Sequence, residues 1–299
     1  MKKIFIILSR DPRSAQSMMF LINSLLDKNY YIYLFYNESE LYLNAYEKLV
    51  FESKNIKIYP LKINQSNKVN YLKKIFQIAK EFKNIKPTHV ITVDKKSFLI
   101  TPILAWISKK FKNIHIVLDF DDPKNESYKE RVVTKLQFFF AKYVDLFLFP
   151  STERAKKFFE FSKSENEKFI VLSNHFPKHF KPKIGNDLDQ ILKKNKVIYS
   201  KIVCTLGTIG HNHYFKELIE SVVNWDKGII LIIGGWPNKG VKETLDKIII
   251  KNNLEKKVLL LSSITEKLWA EILFKSHLGI CFYKQDSISH KFMAGASTK

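Results

Sequence analysis

The chain has 299 residues, of which 45% are hydrophobic and 14% aromatic; this is enough for the cores of two domains and excludes a disordered protein. No apolar stretch is long and uncharged enough for a transmembrane helix, and Cys204 and Cys281 lie in separate apolar runs that predict two buried residues rather than a disulfide or zinc site. The net charge is +21. This charge fits either a protein that binds an anionic partner or one whose surface is rich in lysine but binds no such partner. The preference for lysine over arginine argues against nucleic acid as the partner.

The first 183 residues alternate β-branched runs with amphipathic segments. The first apolar run ends at Leu8 and is too short for the core of a signal peptide, so we predict a strand there. Strand–helix alternation predicts parallel strands joined by right-handed helical crossovers. The predicted strands are Lys3–Leu8, Tyr31–Tyr36, Ile56–Leu61, His89–Val93, Ile114–Asp119 and Leu146–Pro150. The predicted helices are Ala15–Leu26, Val69–Phe82, Ser97–Phe111, Tyr128–Lys142 and Glu153–Phe161.

A second series of the same kind begins near residue 200, after a charged segment with two prolines at 173–183 that is typical of a linker. The sequence therefore predicts an α/β protein with two Rossmann-like, doubly wound domains, residues 1–183 and 184–299. The predicted strands are Lys201–Leu206, Ile229–Ile233, Val258–Leu261 and Leu278–Phe282. The predicted helices are Phe215–Val223, Val241–Asn252 and Glu266–Lys275.

Glycine or polar residues follow the strands of the second series. The first strand runs into Gly207-Thr-Ile-Gly210, the second into Gly234-Gly-Trp236, and the third into a serine pair that includes Ser263. One such break fits an ordinary turn as well as a phosphate-binding loop, because glycine serves both. Breaks after every strand favour a ligand site, since the carboxyl ends of parallel strands meet at one edge of the sheet.

The segments 201–223, 229–236, 258–263 and 277–299 together resemble the nucleotide-binding half of retaining GT-B glycosyltransferases of family 4. The resemblance implies transfer of a sugar from a UDP- or GDP-sugar co-substrate, without a cofactor or metal, to a glycan or lipid-linked acceptor in cell-surface polysaccharide synthesis. It assigns Lys216 a catalytic role. The residues it places on the donor diphosphate are Gly207, Thr208, Gly210, His211, Ser297 and Lys299, and those on the nucleoside are Gly234, Gly235, Trp236 and Ser263.

The last residues, Gly295-Ala-Ser-Thr-Lys299, match part of the closing loop of that family. The resemblance would place the glutamate that binds the donor ribose beyond Lys299, and Asp286 is the only nearby upstream acidic candidate. We therefore expect the second domain to be incomplete, and residues 1–299 alone to be inactive or marginally stable.

The first domain would bind the acceptor. By the same resemblance, Arg10 and Arg13 follow the first strand where an acceptor phosphate would bind, although an exposed capped loop fits them equally well. Asp94 follows the strand His89–Val93 and takes the position of a catalytic residue near the reacting sugar. The acidic turn at 118–122 fits acid–base or metal chemistry, but we favour an ordinary helix entry.

The basic segment 68–86 and the Phe-rich run 138–140 would suit an anionic membrane surface, although the phenylalanines are better explained as part of a core helix. We expect a cytoplasmic protein, peripheral at the inner face of the plasma membrane, that does not bind nucleic acid. Two alternatives remain: a basic polyanion-binding module without catalysis, and a sugar-nucleotide epimerase, which would need an acidic and histidine cluster that we do not find in the sequence.

Overall fold

The computed structural model describes residues 2–12, 16–38, 53–61, 68–118, 120, 123–164, 168–172, 185–211 and 213–284. These residues form two compact units, one up to Leu172 and one from Gly185 onward. The predicted domain boundary between residues 183 and 184 lies outside the described residues. No helix among those described is long and apolar enough to cross a membrane.

The first unit is built on a parallel sheet. Its described strands are β1 (Lys3–Leu8), β2 (Tyr31–Asn37), β3 (Ile56–Leu61), β4 (His89–Val93), β5 (Lys112–Ile116), β6 (Leu146–Phe149) and β7 (Phe169–Val171). Their spatial order is β3-β2-β1-β4-β5-β6-β7, and every neighbouring pair is parallel. The sequence did not predict β7, because three residues are too few to show a period. The order reverses between β1 and β4, which is where sheets of this kind bind ligands.

The helices of the first unit connect these strands. Those described are α1 (Gln16–Asp27), α2 (Lys68–Ile85), α3 (Asp94–Phe98), α4 (Thr101–Ile107), α5 (Tyr128–Phe140) and α6 (Thr152–Ser162). The single helix predicted over 97–111 is wrong, since two short helices occupy this stretch. Pro102 lies in the first turn of α4. It has no N–H to donate, so it suits a helix start and would interrupt a longer helix.

Helices cover both faces of the first sheet. On one face, Met18 and Ile22 of α1 pack against Ile6 of β1 and Ile91 of β4. On the other face, helices α2 and α4 pack over β1, β2 and β4, and helices α5 and α6 pack over β6. The alternation of side chains along each strand produces these two layers, because successive residues point to opposite faces.

The second unit contains a smaller parallel sheet. Its described strands are β8 (Lys201–Ile209), β9 (Ile229–Pro237), β10 (Val258–Ser262) and β11 (Leu278–Gly279), in the order β10-β9-β8-β11. The order reverses between β8 and β11, as it does between β1 and β4 in the first unit. Its described helices are α7 (Asp187–Lys194), α8 (Phe215–Ser221), α9 (Val241–Lys251) and α10 (Glu266–Lys275). The predicted fold class, two Rossmann-like doubly wound α/β domains, is confirmed.

Two strand ends of the second unit differ from the prediction. Strands β8 and β9 extend three and four residues beyond their predicted ends, because their pairing continues as far as Ile209 and Pro237. Strand β11 is shorter than predicted, and Cys281 beyond it is exposed, whereas Cys204 on β8 is buried. The prediction that both cysteines are buried is therefore wrong for Cys281.

Helix α7 is attached to α10 by a buried carboxylate. Glu271 is fully buried, and its Oε2 accepts a hydrogen bond of 2.8 Å from the backbone N–H of Leu188 in the first turn of α7. Two ion pairs, Lys267–Asp187 and Lys275–Asp189, join the same helices at the surface. An anionic group at a helix N-terminus satisfies a free N–H and complements the helix dipole, which explains the position of Glu271.

Candidate functional site

Two glycines face each other where β8 and β9 approach their carboxyl ends. Gly207 and Gly235 are direct partners in the sheet register, and both have positive φ angles, 122° and 150°. A Cβ built on Gly235 would overlap the carbonyl of Gly207. Only glycine can occupy this pair without displacing a strand; Gly207 is partly exposed and Gly235 is buried beside it.

The third strand tip is tied to the same place. The N–H of Ser263, the residue after β10, donates a hydrogen bond of 2.7 Å to the carbonyl of Gly235. Ser263 is exposed and has a φ of 56°, in the left-handed region that non-glycine residues rarely adopt. Thr208, next to Gly207, is also exposed. The structure therefore brings together Gly207, Thr208, Gly235 and Ser263 at one edge of the second sheet.

The loop after β8 closes against the chain that follows β9. The N–H of Asn238 donates to the carbonyl of Ile209 at 2.9 Å, and a Cβ on Gly210 would approach the Asn238 side chain to 3.0 Å. Asn238 was not among the residues predicted for this site. Its position after Trp236-Pro237 is the only signal that the sequence contains, because asparagine after a strand is typical of a turn.

His213 joins this loop to the segment after β11. Its ring lies 5.0 Å from the ring of Phe215 and 4.7 Å from that of Tyr283, measured between centroids. This contact places Tyr283, which was not predicted as a site residue, at the switch point between β8 and β11. His211, two residues before His213, is exposed.

Gly234, Trp236 and Lys216 were also predicted to serve the donor, and each has different surroundings from the strand-end residues above. A Cβ on Gly234 would approach Leu206 and Ile264 to 2.8 and 3.0 Å, so core packing by itself accounts for this glycine. Trp236 is half-buried. Lys216 lies in the first turn of α8 with its side chain 64% exposed, and its Nζ is 4.0 Å from Glu220 one turn further on. Ser297 and Lys299 lie outside the described residues.

At the switch point of the first sheet, the buried carboxylate of Asp94 forms an ion pair with a partly exposed arginine. Its Oδ2 is 2.6 Å from Nη2 of Arg10, which follows β1, and its Oδ1 accepts a hydrogen bond of 3.2 Å from the N–H of Leu118. Asp94 has a φ of 61°, and its side chain is only 8% exposed. Its conformation and contacts hold the carboxylate in one orientation between β1 and β4. Arg13 lies outside the described residues.

A second arginine reaches the same network. Arg154 in the first turn of α6 is buried, and its Nη1 donates to the carbonyl of Leu118, whose N–H contacts Asp94. Ser151 caps this helix by accepting from the N–H of Arg154. The sequence did not reveal Arg154 as a site residue, because an arginine in a first helical turn is usually solvated. The described contacts at this edge thus connect the carboxylate of Asp94 to the guanidinium group of Arg10 and, through the backbone of Leu118, to that of Arg154.

The lysine that follows Asp94 is also paired. Lys95 Nζ is 2.5 Å from Glu126 Oε1 and 3.3 Å from the hydroxyl of Thr134. Among the described residues, no group of three or more His, Cys, Asp or Glu side chains could hold a metal ion. The acidic turn predicted at 118–122 includes Asp119, Asp121 and Asp122, which lie outside the described residues.

His115 on β5 is buried next to this network but is fully engaged in the core. Its Nδ1 lies 3.2 Å from the carbonyl of Thr92, and its Nε2 lies 2.8 Å from Nε2 of Gln137 on α5. The carbonyl can only accept, so Nδ1 carries the proton and Nε2 accepts from the amide of Gln137. Burial lowers the pKa of His115 from 6.5 to about 3, although the hydrogen bond to Thr92 opposes this shift.

The lowered pKa of His115 predicts that the first unit loses stability in mild acid. The unfolded chain takes up a proton on this histidine near pH 6.5, and the folded chain does so only near pH 3. The contribution of His115 to the free energy of unfolding is therefore fully present above pH 6.5. Below pH 6.5 the free energy of unfolding should fall by up to ~1.4 kcal/mol for each pH unit. Urea unfolding of the protein and of His115→Gln between pH 7.5 and 5 measures this dependence.

The glutamine variant cannot titrate, so its stability should fall less steeply over that range, even if it is lower at pH 7.5. His211→Gln, at an exposed position, serves as the control and should keep the slope of the unmodified protein. Equal slopes for all three proteins would contradict the prediction.

No protein-family model matches the sequence, and no curated protein is significantly similar to it. Solved structures do match. HepE of Anabaena, crystallised with UDP and glucose, has a TM-score of 0.70 at 12% identity over 93% of this chain and 73% of its own. Sucrose-phosphate synthase of Thermosynechococcus elongatus has a TM-score of 0.68 at 12% identity, over 93% and 75%. The lipopolysaccharide outer core galactosyltransferase WaaB has a TM-score of 0.57 at 14% identity, over 92% and 72%.

At these identities the likeness concerns the fold. It agrees with the two Rossmann-like units described above, and the GT-B fold expected from the sequence is confirmed. Membership of family 4 within this fold stays a prediction.

Proposed function

We propose that the protein is a glycosyltransferase that moves a sugar from a nucleotide-sugar donor to a glycan or lipid-linked acceptor in cell-surface polysaccharide synthesis. The observation that carries the proposal is the group of strand ends formed by Gly207, Gly235 and Ser263 at the carboxyl edge of β8, β9 and β10, since Rossmann-like sheets bind ligands at this edge. At the partly exposed Gly207, the absence of a Cβ would allow a diphosphate to approach peptide N–H groups closely. Proteins of this fold have been crystallised with UDP and with glucose, which favours a uridine nucleotide as donor.

In the proposed reaction, the bond between the anomeric carbon of the sugar and the diphosphate breaks, and the electron pair leaves with the diphosphate. The hydroxyl oxygen of the acceptor forms the new bond to the anomeric carbon, and its proton passes to the departing diphosphate. The strand-tip backbone, with His211 near it, would stabilise the charge that develops on the diphosphate, and the fixed geometry would supply most of the rate enhancement. Retention of the anomeric configuration is part of the proposal and follows from the resemblance.

The first unit would receive the acceptor. The side chain of Arg10 is 36% exposed, and its charge is partly neutralised by Asp94. The buried Arg154, which donates a hydrogen bond to the carbonyl of Leu118, adds a second positive charge at this edge. A phosphate on the acceptor would be attracted to such an edge, because guanidinium groups bind phosphate with two parallel hydrogen bonds. We propose that Asp94 fixes Arg10 for this contact and lies near the reacting hydroxyl.

Calorimetric titration with UDP, GDP and UDP-glucose tests the donor site. We expect saturable binding of a uridine nucleotide and, at 100 times its dissociation constant, a stabilisation of ~2.7 kcal/mol in thermal unfolding. The absence of binding by any of these nucleotides would contradict the proposal. If the protein instead bound duplex DNA with a steep dependence on salt, the alternative of a polyanion-binding module would be supported.

A further inference from the structure

The outer face of helix α5 carries a continuous stripe of exposed apolar side chains. The helix continues from Phe140 into a turn of 3-10 helix at Ala141–Tyr143. Five exposed apolar or aromatic residues recur along this segment at intervals of three or four positions, which places them on one side of the helix. These residues, called the α5 stripe below, are Tyr128 (80% exposed), Val132 (41%), Leu136 (40%), Phe139 (60%) and Tyr143 (58%).

The opposite side of the same helix already serves the core. Thr134 and Gln137 are buried, and Phe138 and Phe140 pack against the aromatic cluster around Phe158. The prediction that the whole run 138–140 belongs to the core is therefore wrong for Phe139. Since the fold uses the inner face alone, the α5 stripe contributes little to the stability of the first unit.

Lysines surround the stripe. Lys129, Lys135 and Lys142 are exposed, and Nζ of Lys142 lies 4.9 Å from the ring centre of Phe139 and 5.2 Å from that of Tyr143. Glu130 is the only acidic residue between 128 and 143, and it is already hydrogen-bonded to the hydroxyl of Ser127. Aromatic and aliphatic groups with ammonium groups beside them are typical of helices that lie at the surface of an anionic bilayer.

Two other helices of the first unit also expose large apolar side chains. Helices α2 and α4 cover the same face of the first sheet as α5. Phe76 on α2 is 73% exposed and Trp106 on α4 is 88% exposed, with Lys109 and Lys110 shortly after Trp106. The outer helical layer of the first unit therefore presents several large apolar side chains among positive charges.

We propose that the α5 stripe docks on an anionic lipid bilayer, with its apolar side chains at the level of the acyl boundary and its lysines on the lipid phosphates. The charge of the surface favours this partner over a second copy of the chain, because two copies would bring like charges together. The protein would lie on the bilayer without spanning it. This inference concerns the first unit and does not depend on the proposed transfer reaction.

Sedimentation of the full chain with vesicles tests the proposal, using phosphatidylcholine alone and phosphatidylcholine mixed with phosphatidylglycerol. Binding should be strong only with the anionic lipid. The variant Lys129→Gln/Lys135→Gln/Lys142→Gln should bind roughly 100-fold more weakly, since each lysine near an anionic surface contributes about one kcal/mol. Leu136→Ser/Phe139→Ser should reduce binding by at least about tenfold through lost apolar burial.

Matched substitutions in the second unit are the controls. Lys247→Gln/Lys251→Gln/Lys256→Gln removes the same charge from exposed positions, and Phe274→Ser removes a phenylalanine that is 65% exposed. Both controls should bind vesicles as the unmodified protein does, and all variants should keep its circular dichroism spectrum and its response to UDP. Equal losses in test and control variants, binding that ignores lipid charge, or stripe-dependent self-association in sedimentation velocity would each overturn the proposal.

Discussion

Replacing Gly235 with alanine is expected to remove nucleotide-sugar binding and to destabilise the second unit by at least about 3 kcal/mol. The added Cβ would overlap the carbonyl of Gly207, and the φ of 150° at this position is one that an alanine adopts only under strain. Strands β8 and β9 would have to separate at their tips, which would also displace Ser263, whose N–H bonds to Gly235. Urea unfolding and calorimetric titration with UDP-glucose measure the two effects.

Gly279→Ala is the matched control for this experiment. Gly279 lies on β11 of the same sheet, but a Cβ built on it meets no atom within 4 Å. We therefore expect a change of less than about 0.5 kcal/mol in stability and unchanged nucleotide affinity. Binding should be measured below the unfolding transition, so that a lost site is distinguished from a lost fold. If Gly235→Ala bound UDP-glucose normally, the strand tips would not form the donor site.

Removing the charge of Asp94 is expected to give the second large effect. In Asp94→Ala, Arg10 loses its partner and the N–H of Leu118 loses its acceptor, so we expect the first unit to lose about 2–4 kcal/mol. Asp94→Asn keeps the shape, and asparagine tolerates a φ of 61° well. This variant should lose less stability, but any sugar transfer that the unmodified protein catalyses should fall about 100-fold or more, since Arg10 is no longer fixed.

The exposed pair Lys242–Asp246 supplies a control, with 2.6 Å between Nζ and Oδ2. Asp246→Asn removes one negative charge in the same way, but from a helix surface, and should change stability by less than about 1 kcal/mol and activity not at all. Transfer rates and unfolding free energies should be compared for all three variants. Full activity of Asp94→Asn would show that its carboxylate has no part in transfer.

Most of the fold could be predicted from the sequence. The runs that became β1, β4 and β10 are short, apolar and bounded by turn residues, and this local pattern is enough to identify a strand in a buried parallel sheet. The predicted ends of strands were wrong where pairing with a distant segment, rather than the local sequence, determines the structure. Strands β8 and β9 extended beyond the predicted ends because pairing between two strands, and not the sequence of either, decides where a strand ends.

The candidate sites could be predicted only in part. Gly207, Gly235 and Ser263 were identified because they follow predicted strands, and Asp94 because the family resemblance places a catalytic residue after the strand His89–Val93. Arg154 reaches Asp94 through the backbone of Leu118, and Tyr283 reaches His213 across the switch point; both contacts join segments that are far apart in the sequence. The spacing of residues within one segment cannot predict such contacts, because they depend on the order of the strands in the sheet.

The sequence by itself determined the two α/β units, the alternation of their elements and the edges at which ligands would bind. These properties follow from hydrophobic periodicity and turn chemistry, which act over a few residues. Only the tertiary structure decided that Gly207 faces Gly235, that His115 is buried as a neutral imidazole, and that Phe139 between two core phenylalanines is exposed. Register and helix rotation set those outcomes, and both depend on packing against partners that the local sequence does not contain.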